Sequence, residues 1–112
     1  MNVYNKQDLQ NIKVEGKYYL PENVFGGHRY PTVRVEVKLA YGALLNVLLT
    51  QPNYSQNGDA YVMMDNPVVA ATLAVLANKA VDIEKMKGYY KELEELKFIS
   101  IEKLNIYLNK EI

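Results

Sequence analysis

Two stretches of the chain hold side chains whose types and spacing suit phosphate chemistry. His28-Arg29-Tyr30, followed by Arg34 and Lys38, gathers the only histidine and both arginines. A guanidinium can fork onto two phosphate oxygens, and a neighbouring tyrosine ring can stack on a base. The plainer alternative is a solvated loop running into a helix, with Arg34 paired to Glu36. The second stretch runs from Lys79 to Glu95. Lys79, Lys85, Lys87 and Lys91 crowd its first part, and Glu92, Glu94 and Glu95 close it. Gly88 and Tyr89 sit among the lysines. A glycine inside a helix costs about 1 kcal/mol relative to alanine. Gly88 is therefore either tolerated drift or a point where another backbone comes close. The lysines have a plain alternative too: Glu84–Lys87 and Lys91–Glu95 pairing along a solvated helix face.

Other chemistries lack their residues. The chain has no cysteine, two serines and a single histidine. A nucleophile–base–orienter arrangement needs all three members within reach, and a metal site needs clustered ligands. No cofactor, no metal and no independent enzymatic activity are expected. Gly26-Gly27 makes a turn, not a glycine-rich phosphate loop. The 13 basic and 13 acidic side chains cancel. A binder that works by bulk positive charge is normally basic overall, so any charge-driven role here rests on local asymmetry. Ten tyrosines against two phenylalanines and no tryptophan serve either a small core or a set of stacking and interface rings.

The elements that must position these residues read as follows. At 112 residues the chain is expected to form one domain. No apolar run approaches the ~20 residues of a membrane span. Met1 to Asp8 is polar, without the apolar stretch of a signal peptide, so the expectation is a cytoplasmic protein with no membrane partner. Residues 1–16 are expected to be a poorly ordered arm. Lys17 to Leu20 reads as extended and stops at Pro21, and Pro21 to Pro31 as a loop anchored by Val24 and Phe25. Thr32 to Tyr41 alternates like a strand, yet Val37, Tyr41, Leu44, Leu45 and Leu48 fit a helical stripe. A helix is predicted from about Arg34 to Leu49. Asn57-Gly58 is a turn before a strand over Ala60–Met64.

Asp65-Asn66-Pro67 starts the next helix. Val68–Asn78 is so apolar that it is predicted to be fully buried. Asp82 caps a helix running to about Leu96. Its predicted inward stripe is Ile83, Met86, Tyr90 and Leu93. Its outward stripe is Glu84, Lys87, Gly88, Lys91 and Glu95, flanked by Lys85 and Tyr89. Phe98 to Ile101 and Leu104 to Leu108 form a hairpin around Glu102-Lys103. Two helices joined by a short turn and followed by a hairpin predict an α+β fold, a small winged helix-turn-helix domain with three main helices, a short strand and a C-terminal hairpin wing.

Four stretches add a family resemblance. Tyr18-Tyr19-Leu20-Pro21 with Phe25, Val37 to Leu45, Asn57-Gly58-Asp59-Ala60-Tyr61-Val62, and Lys91 to Ile99 together resemble the N-terminal winged-helix domain of the plasmid replication initiator A family of Gram-positive bacteria. The wing turn here is short, and the chain ends at Ile112 where the family continues into a further domain. The resemblance implies a shortened relative in a mobile element's replication module. The leading expectation is binding of DNA, double- or single-stranded, through the third helix and the Arg29–Lys38 segment. The alternative is an accessory subunit docking on a replicative polymerase, primase or helicase. A transcriptional regulator is the third choice, and a homodimer is left open.

Overall fold

The computed structural model describes residues 1–112. In chain order the elements are α1 (Lys6–Gln10), α2 (Glu22–Phe25), α3 (Val35–Thr50), β1 (Asn53–Tyr54), β2 (Ala60–Met63), α4 (Pro67–Ala77), α5 (Ile83–Glu95), β3 (Ile99–Glu102) and β4 (Asn105–Leu108). The four strands form one antiparallel sheet in the order β1-β2-β4-β3. The architecture is α+β.

Helix α3 is the axis of the core. The alternating valines before it do not form a strand. From Val37 onward a strand would expose half of an almost wholly apolar stretch, whereas a helix can be covered on several sides. Val37 and every residue from Ala40 to Leu48 are buried, with α4, α5 and β2 packed against the helix. Asn46 is the one buried polar side chain. Its Nδ2 donates to the carbonyls of Tyr19 (2.8 Å) and Gly42 (2.7 Å), and its Oδ1 accepts from the Tyr19 N–H (2.8 Å). The extended piece around Tyr19 is thus held without any strand partner. Gly42 permits its close approach: a β-carbon there would lie 3.1 Å from Leu20 Cδ2 and 3.4 Å from the Phe25 ring.

Residues 1–16, where a poorly ordered arm is expected, carry α1. Asn5 and Asp8 close a reciprocal capping box at its start. Val3 bridges to Asn109 and Asn5 to Asp59. Lys110 Nζ reaches Asp8 at 2.9 Å, and this hydrogen bond, followed by the one from the Asn5 N–H, holds the Asp8 carboxyl below the usual carboxylate range.

Helix α4 starts as its sequence implies, with Asn66 accepting from the Val68 N–H and Pro67 in the first turn. It is not fully buried. Only Val69 and Leu73 are enclosed, and Val75 is 60% exposed. The helix lies on α3 by one face, and no further layer covers the other. Both α4 and α5 end in paired backbone bonds that satisfy their last carbonyls. Lys79 N–H donates to Ala74 O and Asn78 N–H to Val75 O, with Asn78 left-handed. Phe98 N–H donates to Leu93 O and Lys97 N–H to Glu94 O, with Lys97 left-handed. The second of these motifs turns the chain directly into β3. The hairpin turn falls on Lys103-Leu104, one residue later than the spacing implies, with Lys103 at φ 58°.

Candidate nucleic-acid interface

Helix α5 begins at Asp82, whose side chain accepts the Lys85 N–H at 2.8 Å. Met86, Tyr89, Tyr90 and Leu93 are its buried residues, a set at i, i+3, i+4 and i+7. Two sequence expectations fail here. Ile83, assigned to the inward stripe, is 71% exposed, because it is the first residue of the helix and projects beyond the packed layer. Tyr89, assigned to the flank of the outer face, is 6% exposed. The inward line is rotated toward it once Ile83 drops out.

The lysines therefore straddle the helix. Lys85 lies on one shoulder, lining a polar cleft of about 390 Å3 with Arg34, Glu36, Lys79, Gly88 and Tyr89. Lys87 lies on the other shoulder, at the rim of an apolar groove. At about 100° per residue, Lys91 and Gly88 fall between them on the outer crest, and both are exposed. A β-carbon at Gly88 would meet nothing within 4 Å. The helix start adds partial positive charge at the lysine end.

Five of the ten candidate residues thus meet at one cleft: Arg34, Lys79, Lys85, Gly88 and Tyr89. Their charges are not equally free. Arg34 stands just before α3 and forks onto Glu92 of α5, with Nε donating to Oε1 at 3.3 Å and Nη2 to Oε2. The Glu92 carboxylate raises the Arg34 pKa above its ordinary value, first by hydrogen bonding and then by its charge. Its guanidinium also lies 5.8 Å from the centre of the Tyr89 ring. Lys79 pairs with Glu36 at 3.8 Å, and Lys87 with Glu84 at 3.6 Å. Lys85 and Lys91 have no ion-pair partner in the structure.

The remaining candidates stand apart from the cleft. Arg29 is exposed, with its guanidinium 5.7 Å from the centre of the Tyr30 ring. Tyr30 packs edge-on against Phe98 at 4.8 Å, so its ring belongs to the core margin and is not presented for stacking. Lys38 is half-buried on α3. Glu92 and Glu36 are the partners that sequence reasoning misplaced or missed. Proximity in sequence offers Glu36 as the plain partner for Arg34, whereas the carboxylate it meets belongs to another helix. No local sequence signal marks this pairing, since the two residues lie 58 positions apart.

No group of three or more histidine, aspartate or glutamate side chains is arranged to hold a metal ion. No helix is long and apolar enough to cross a membrane. Comparison with family models, with curated proteins and with solved structures finds no match to this chain.

Proposed function

We propose that this chain is a winged helix-turn-helix protein that binds duplex DNA through α5, within a replication module of the kind its family resemblance implies. The order α3, β2, α4, α5, β3, β4, with β4 between β2 and β3, supports the winged-helix reading: a helix pair in which the second member is the recognition helix, followed by a hairpin wing. The observation that carries the functional reading is the placement of lysines on both shoulders and the crest of the first part of α5. A helix entering a major groove has a phosphate strand on either side, and its N-terminal part goes deepest. Glu94 and Glu95 stand at the far end, away from the phosphates in that orientation.

A second reading, an accessory subunit docking on a replicative polymerase, primase or helicase, is favoured by the zero net charge and by the ion pairs that occupy Arg34 and Lys79. Anisotropy titrations with labelled duplex and single-stranded oligonucleotides at several salt concentrations separate the two. Salt-dependent duplex binding that Lys85→Ala with Lys87→Ala weakens supports the first. Absence of binding at low salt to either form of DNA contradicts it.

A further inference from the structure

Beside Lys87, a groove of about 360 Å3 opens between the turn before α4, the first half of α5 and the tip of the β3–β4 hairpin. Met64, Pro67 and Ala70 form one wall. Met86 and Tyr90 of α5 form the other, and exposed Ile83 and Leu104 stand at the mouth. Tyr90 is 4% exposed, and its hydroxyl makes no hydrogen bond to the protein, while no fully enclosed side-chain nitrogen or oxygen lacks a partner. The hydroxyl therefore keeps a narrow opening, and the groove is the one cavity that Tyr90 lines. A phenol that opens to the groove and has no partner within the chain is free to donate to what occupies it.

We propose that this groove is a binding site for a small, neutral aromatic molecule carrying one hydrogen-bond acceptor, with Tyr90 donating to it. The volume lies at the lower end of the roughly 300–1,000 Å3 typical of small-molecule sites. That suits one or two fused rings. The thioethers of Met64 and Met86 are polarisable and favour contact with an aromatic ring. Asp65 and Lys87 are the only charged residues lining the groove. They are opposite in sign, so nothing there selects an ionic ligand.

A neutral naphthalene ketone fluorophore is a suitable probe, since its carbonyl accepts a hydrogen bond and the chain has no tryptophan to compete for excitation. The expected result is saturable one-to-one uptake with blue-shifted emission. Methyl NMR should then show Met64 and Met86 moving while Met1 and Met63, which do not line the groove, stay in place. Tyr90→Phe keeps the shape and should weaken uptake by about fivefold, the loss of one hydrogen bond. Ala70→Phe, checked for folding by circular dichroism, should abolish it. No saturable uptake by the native chain overturns the proposal. So does uptake that Tyr90→Phe leaves unchanged, or uptake that moves all four methionine methyls alike. Concentration-dependent self-association that shifts Met64 and Met86 without any probe would make the groove an interface between two copies, and that too overturns it.

Discussion

Helices α3 and α5 pack against each other and are built on opposite plans. Helix α3 is enclosed nearly all the way round and holds one satisfied polar group, Asn46. Helix α5 buries a single stripe and turns its charges outward. The first is a scaffold whose side chains from Ala40 to Leu48 are all committed to packing. The second keeps a free face because α3 supplies the enclosure for both. Function is therefore sought on α5, and stability on α3.

Substitutions should separate the two plans sharply. Leu45→Ala removes a fully buried side chain from α3 and should cost about 2–5 kcal/mol, measured by urea denaturation. Glu95→Ala, on the outer face of α5, should stay within about 0.5 kcal/mol. Equal losses at the two sites would break the comparison. Asn46→Ala should come next. It leaves the Tyr19 N–H and carbonyl without their partner, at about 1–3 kcal/mol. Hydrogen exchange should then accelerate at the Tyr19 amide before it does in α3. Unchanged protection at Tyr19 would mean that the extended piece is held by its apolar contacts alone.

The contrast also explains what could be read in advance. The Asp82 cap of α5 and the burial of Met86, Tyr90 and Leu93 were legible because only one face of the helix is buried, whereas Ile83 and Tyr89 at the edges of that face were misplaced. The existence of α3 was legible from its leucines, but its surroundings were not, since residues buried on every side leave no periodic signature. The excess burial assigned to α4 has the same root. A run of apolar residues does not say how many layers will cover it, and Val75 is left in the open. Within the candidate site, the lysines of α5 could be placed by period. The pairing of Arg34 with Glu92 could not, because it joins residues far apart in sequence. Nor could the groove beside Ile83, which exists only once the hairpin tip and the turn before α4 come together.

Two glycines sharpen the comparison at a smaller scale. Gly88→Ala should stabilise the protein by about 0.5–1 kcal/mol, because an added methyl there meets nothing. Gly42→Ala in α3 places its methyl 3.1 Å from Leu20 and should gain less than Gly88→Ala in the same thermal melt. The reverse order would mean that the close contact over Gly42 yields freely.

The smallest effect on stability is expected where the effect on binding is largest. Lys85→Ala with Lys87→Ala removes only exposed side chains and breaks only the exposed Glu84–Lys87 pair, so unfolding should hardly move. Duplex titrations over a range of salt concentrations test the account directly. Each lysine that neutralises a phosphate contributes a slope of about −0.9 to log K against log salt. The double variant should bind more weakly and with a slope flatter by about two units, while Glu94→Ala with Glu95→Ala should bind as well as the native chain or slightly better. A native affinity and slope in the lysine variant would contradict the assignment of α5 as the DNA-reading helix.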